Sequence, residues 1–187
     1  ASMDCPIRFF KPPRNCPMSD CTPPSTLPEE FAQRLRQIVP RERFADCWSS
    51  FKHPIATAFR INSLGGQAED VAAELTNAGL ELQPLTWKAD AFIVPDDQRR
   101  ALTESAACAE GRIYIQNPSS MIPPIALDPQ PGEEVLDLAA APGGKTLHIA
   151  ALMENRGRIG AVEVVRNRFF RLRDTLERGG AQIVQTY

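Results

Sequence analysis

Long apolar runs are missing from this 187-residue chain. No stretch approaches the roughly eighteen consecutive hydrophobic residues that a membrane-spanning helix needs, and the amino terminus has no apolar core of the kind that marks a secretory signal. A cytoplasmic protein with no membrane partner is the resulting expectation. Cysteine is scarce and irregular: the five are Cys5, Cys16, Cys21, Cys47 and Cys108, with no C-x-x-C pair among them. An odd, unpaired set excludes a disulfide framework and a zinc ribbon, so no metal is expected. Excess charge of one sign is lacking too. The net charge is −2, which removes any global electrostatic case for nucleic acid and leaves only local basic surface.

Proline, by contrast, crowds the first residues. Pro6, Pro12, Pro13, Pro17, Pro23 and Pro24 come with little periodic apolar content, and residues 1–27 are expected to be a disordered arm. From Pro28 the pattern turns helical, with Phe31, Leu35, Ile38 and Val39 at three- and four-residue spacing until Pro40 ends it. A second helix is predicted over 42–51, where Phe44, Cys47, Trp48 and Phe51 fit core packing better than a base-stacking platform. Further along, the patterns predict a strand over 57–61, a helix over 67–78, strands over 85–87 and 91–94, one helix over 96–109 and a strand over 112–115. That order reads as a small α+β subdomain over 28–115. A helix over 118–127 should be broken or kinked at Pro123-Pro124, with Ser119 and Ser120 as capping candidates and Asn117 or Pro118 setting its first turn.

After the turn at Pro131-Gly132, strands at 134–138, 158–162 and 182–186 alternate with helices at 145–153 and 166–179. The alternation implies a parallel sheet with right-handed crossovers. The first strand ends in Asp137 and runs into Leu138-Ala139-Ala140-Ala141-Pro142-Gly143-Gly144-Lys145-Thr146. Small residues let main chain approach a ligand closely, and the helix that follows offers unpaired N–H groups and the positive end of its dipole. Such a corner suits a nucleotide-like ligand.

This corner resembles the Nop/Sun family of RNA cytosine-5 methyltransferases, whose cofactor loop reads Asp-x-Cys-Ala-Ala-Pro-Gly-Gly-Lys-Thr; only Ala139, standing for Cys, departs from it. The likeness extends to Gly111-Arg112-Ile113-Tyr114-Ile115-Gln116-Asn117-Pro118-Ser119-Ser120-Met121 and to Phe59-Arg60-Ile61-Asn62, and it is nearest the bacterial small-subunit ribosomal RNA branch. The resemblance implies an α/β fold: a Rossmann-like methyltransferase sheet, of which residues 116–187 hold the first part, behind the α+β subdomain. It implies S-adenosyl-L-methionine as cofactor, held by Ala139, Ala140, Ala141, Pro142, Gly143, Gly144, Lys145 and Glu163, and methyl transfer to C5 of cytosine. Ribosomal RNA is the favoured partner, with transfer RNA open. Family members add one cysteine thiolate to the base and use a second for release. Both lie well downstream of the loop, so no catalytic residue is assigned here. Because only about fifty residues follow Asp137, the chain is read as a fragment, inactive alone, whose exposed sheet edge leaves an oligomer open.

Glu163 stands 26 residues after Asp137, at the end of the second parallel strand, where a carboxylate can accept both ribose hydroxyls. A solvated strand-end Glu is the plainer alternative. Asp137 can order the loop through backbone N–H groups or meet the methionine end of the cofactor, and Lys145 can pair with it. Arg60 and Asn62 share one face of a strand, which fits a structural role or RNA contact equally. Tyr114, Gln116 and Asn117 fit an RNA cleft or a packed strand edge. His53 and His148 are read as satisfied structural histidines, and the arginines from Arg156 to Arg178 as a solvated helix face. Two rivals remain. One is a triphosphate-binding loop, since Gly144-Lys145-Thr146 matches G-K-T and only Ala139 replaces the first glycine. The other is a non-catalytic RNA-binding protein.

Overall fold

A computed structural model describes residues 27–51 and 56–187. The expectations for the proline-rich arm, for Cys5, Cys16 and Cys21 and for His53 lie outside the described residues. The chain divides into two compact units, one up to Ile55 and the other from Ala56 to Tyr187.

In the first unit, α1 (Glu29–Ile38) and α2 (Arg41–Ser50) are separated by Val39 and Pro40. Glu29 and Glu30 lie in the first turn of α1, where carboxylates favour the positive dipole end. Trp48 is buried, with Phe44 stacked on it at 5.8 Å and Phe31 tilted against it at 6.5 Å. These rings pack on one another, as helical spacing predicted, although Phe51 stays 45% exposed.

The second unit holds two sheets. Strands β1 (Thr57–Ile61), β2 (Gln83–Leu85), β3 (Lys88–Val94) and β4 (Ile113–Ile115) form an antiparallel sheet in the order β2-β3-β1-β4. Its central strand β1 is buried along its whole length. Phe59 and Ile61 pack there with Val71 and Leu75 of α3 (Ala68–Asn77), with Val94, and with Leu102 of α4 (Arg99–Glu104). Strands β5 (Glu134–Asp137), β6 (Arg158–Ala161) and β7 (Val184–Thr186) form a parallel sheet in the order β5-β6-β7, with Leu136 opposite Gly160 and Asp137 opposite Ala161. Helices α7 (Gly144–Leu152) and α8 (Arg166–Arg178) make the crossovers. Strand, helix, strand, helix, strand in one parallel sheet is the first half of a Rossmann-like fold. Every residue of α7 from Thr146 to Ala151 is buried, so this helix is covered all round.

Several boundaries differ from the sequence reading, each for a local reason. The helix expected over 96–109 is a 3₁₀ turn at Asp96–Gln98 followed by α4 and α5 (Ala106–Ala109). Ser105 parts the two helices: it is extended, its hydroxyl donates to the Leu102 carbonyl, and its oxygen accepts the Cys108 N–H. Trp87 sits in the β2-β3 turn rather than in a strand. Helix α6 (Pro118–Leu127) runs unbroken through Pro123 and Pro124. Pro124 has no N–H for the Ser120 carbonyl, and the Gln116 side-chain amide donates to that carbonyl instead, at 3.1 Å. The cap of α6 is Asn117, which accepts from the Ser119 N–H at 3.0 Å, so neither serine is the cap. No helix among the described residues is long and apolar enough to cross a membrane, and none of their His, Cys, Asp and Glu side chains gather in threes as a metal site would require.

Candidate functional site

The site is built where β5 meets α7. Asp137, the last residue of β5, accepts the Ala139 N–H at 3.2 Å through one oxygen and the Thr146 hydroxyl at 2.7 Å through the other. It therefore spans the loop from start to finish and orders it, which is one of the two roles its position allowed. Thr146 is the partner that sequence reasoning missed. Lys145, put forward for that pairing, is exposed and makes no ion pair with Asp137.

Across the loop, Ala140 and Ala141 are buried, while Ala139, Pro142 and Lys145 reach solvent. The Ala141-Pro142 bond is cis. Gly143 adopts φ +108, a conformation that only glycine takes without strain, and a Cβ there would lie 3.0 Å from the Thr175 side chain of α8. A Cβ on Gly144 would overlap the Tyr114 ring. The two glycines thus let the chain lie flat against α8 on one side and β4 on the other. Gly143 caps α7 with no side-chain acceptor for its first-turn N–H groups.

Glu163 lies just past β6 and is 8% exposed. One carboxylate oxygen accepts the Val165 N–H at 2.8 Å, and the other faces Arg168 Nη1 at 3.2 Å. Arg168 in turn donates through Nη2 to the Ala141 carbonyl at 2.9 Å. One arginine therefore joins the loop to the strand-end carboxylate. Glu163 is consequently no solvated strand end, and Arg168, read with the other arginines as part of a solvated helix face, stays half exposed while holding both groups. Spacing could not single it out, because α8 carries Arg166, Arg168, Arg171, Arg173 and Arg178.

The structure also separates the open readings upstream. Arg60 and Asn62 are 1% and 0% exposed, so their shared face serves structure rather than direct RNA contact. Asn62 donates through Nδ2 to the carbonyls of Gly111, at 2.9 Å, and Gly179, at 2.8 Å. Arg60 donates to the Gly144 carbonyl at 3.5 Å and stacks over Tyr114. Tyr114 and Gln116 are likewise engaged internally. His148 corrects the sequence reading in a different way: it is 2% exposed, yet neither ring nitrogen has a hydrogen-bond partner among the described residues, so within them it is structural but unsatisfied.

The triphosphate-loop rival needs the hydroxyl after the lysine free to meet a metal ion. Here the Thr146 hydroxyl is donated to Asp137 and fully buried. That engagement tells against a triphosphate cradle at this loop.

Comparison with known proteins agrees with that geometry. Residues 27–118 match the family model described as the N-terminal domain of 16S rRNA methyltransferase RsmF, and residues 124–187 match the one described as 16S rRNA methyltransferase RsmB/F. A ribosomal RNA small subunit methyltransferase F of Vibrio atlanticus is 38% identical over 160 residues, covering 83% of this chain and 34% of the relative. A tRNA (cytosine(49)-C(5))-methyltransferase of Pyrococcus abyssi is 37% identical over 164 residues, covering 84% of this chain and 51% of the relative. Among solved structures, a methyltransferase homolog protein from Pyrococcus horikoshii is 36% identical with a TM-score of 0.76, over 87% of this chain and 52% of that one. The chain thus spans from about a third to half the length of these relatives. With both halves of the described chain matched, and with its signature loop folded into the corner between β5 and α7, the chain belongs to the RsmB/F family of RNA methyltransferases.

Proposed function

We propose that this chain supplies the S-adenosyl-L-methionine-binding half of an RNA (cytosine-5) methyltransferase acting on ribosomal RNA. The observation that carries the proposal is the loop from Ala139 to Lys145, laid flat by two glycines and joined through Arg168 to a buried carboxylate at the next strand end. Main chain at Ala139, Ala140, Ala141, Pro142, Gly143, Gly144 and Lys145 surrounds the methionine portion. Glu163 accepts the ribose hydroxyls. Its carboxylate suits that task because the Val165 N–H and Arg168 already fix its plane, and each oxygen keeps a lone pair for a further donor. Asp137 and Thr146 hold the loop in its bound shape ahead of binding, which lowers the ordering cost. The cofactor supplies an electrophilic methyl group, and the groups that activate the cytosine are not assigned to any residue of this chain.

In the same reading, residues 28–115 form the amino-terminal subdomain and 116–187 the first part of the methyltransferase domain, in a cytoplasmic protein whose partner is RNA. The family's relatives include a transfer RNA enzyme, which makes transfer RNA the second substrate to test.

Calorimetric titration with S-adenosyl-L-methionine, and separately with ATP and magnesium, tests the cofactor assignment. Binding of the first is expected; binding of ATP alone would overturn it. Glu163→Ala should weaken cofactor binding by about 1.5–3 kcal/mol, as expected for loss of a charged hydrogen-bond acceptor. Unchanged affinity would remove Glu163 from the site. The chain by itself should bind cofactor without transferring a methyl group to RNA, and turnover in a radiolabelled-methyl assay would contradict this.

A further inference from the structure

We infer that Arg60 is a positioning residue for the cofactor loop, reaching from the antiparallel sheet to the Gly144 carbonyl and thereby setting from outside the parallel sheet how well the corner binds. The inference rests on the cofactor reading above. It begins from an imbalance: Arg60 is among the largest fully buried side chains of the protein, in the middle of a strand whose other residues are Thr57, Ala58, Phe59 and Ile61. Burying a guanidinium is costly, and an aliphatic side chain of similar volume would fill the same space without desolvating a charge. Helix stability does not explain it either, because a cation beside the first turn of α7 opposes the dipole.

What Arg60 gains is contact with the loop. Nη2 donates to the Gly144 carbonyl at 3.5 Å, and the guanidinium carbon lies 5.9 Å from the centre of the Tyr114 ring. That same ring fills the space where a Cβ on Gly144 would stand. Strand β4, which carries Tyr114, pairs with β1 so that Arg60 lies opposite Tyr114. The two side chains therefore form one unit from adjacent strands, a planar cation over a ring, that backs the Gly144 end of the loop. The opposite side is backed by Thr175 and Leu172 of α8 at Gly143. Asp137 and Thr146 fix the loop from within, Arg168 holds Ala141, and Arg60 with Tyr114 closes the remaining side. Burial lowers the Arg60 pKa to about 10 while Asp90 and Tyr114 favour its charged form, so the contact is cationic at neutral pH.

Amide hydrogen exchange on Arg60→Met and Arg60→Lys tests the inference, read at the amides from Ala140 to Thr146 and, as an internal reference, in β3 and β6. In Arg60→Met the loop amides should exchange about tenfold faster with the reference strands unchanged, and S-adenosyl-L-methionine should bind about tenfold more weakly, as for loss of a group that pre-orders a site. Arg60→Lys keeps the charge but not the planar stack, and should recover less than half of either effect on a logarithmic scale. If Arg60→Met does not fold, Arg60→Lys alone decides, by the same two measurements. A folded variant with unaltered loop exchange and unaltered affinity would overturn the role. Failure of the unsubstituted protein to bind the cofactor would instead strike the functional reading, and loop exchange would still decide what Arg60 does.

Discussion

Asn62→Ala is expected to destabilise the chain by about 3–5 kcal/mol, because truncation strands buried polar groups on both sides of the side chain. Asn62 is fully buried at the end of β1. Its amide donates to the Gly111 carbonyl, ahead of β4, and to the Gly179 carbonyl, at the end of α8, while its oxygen accepts the Leu64 N–H at 3.4 Å. Gly111 and Gly179 are themselves buried, so water does not replace the lost donor at either carbonyl. One side chain thus stitches the antiparallel sheet to a crossover helix of the parallel sheet, and its loss should weaken their docking more than either sheet. Urea unfolding should show a lower midpoint with a lower m-value if the two parts then unfold separately. Asn62→Asp should be no rescue, since it keeps the acceptor but loses the donor and buries a charge. A loss under 1 kcal/mol for Asn62→Ala would mean that the two carbonyls find other partners.

Much of the architecture could be read in the sequence because it follows local rules. The strand-helix alternation after Glu134 needed only periodicity, and the corner at Asp137 needed only its run of small residues. Glu163 was placed by strand spacing, and the structure sets it at the end of β6, beside the loop. Errors came where a side chain competes with the backbone. Ser105 divides a helix by bonding both to Leu102 and to Cys108, and the Gln116 amide satisfies the carbonyl that Pro124 abandons. Each depends on a rotamer that a pattern of apolar and polar residues does not carry.

A second kind of error is wholly tertiary. Arg60 and Asn62 share a face, but whether that face meets water or protein is decided by Tyr114, Gly144 and Gly179, far along the chain. Arg168 is one of five arginines on α8, and only the close approach of α8 to Gly143 turns it toward the Ala141 carbonyl. Sequence spacing identifies which groups can reach a site; packing decides which do.

His148 is the residue for which packing decided most, and acid should expose the consequence. Burial, with the charges of Arg60 and Lys88 nearby, lowers its imidazole pKa to about 3, while the unfolded chain titrates near 6.5. Above pH 6.5 both states are neutral and the group contributes no pH dependence. As pH falls below 6.5 the unfolded state takes up a proton that the folded state refuses, so stability drops by about 1.4 kcal/mol per pH unit, reaching roughly 3 kcal/mol at pH 4. Carboxylates elsewhere titrate over the same range, and the comparison must therefore be with His148→Leu, which removes the imidazole and its two unpartnered nitrogens together. At pH 7 the variant should be as stable as the parent or more so. Between pH 6.5 and pH 4 its advantage should widen by about 3 kcal/mol, read from denaturant midpoints at each pH. A constant difference across that range would mean that His148 gains a proton acceptor in the folded protein and is no acid-labile point in its core.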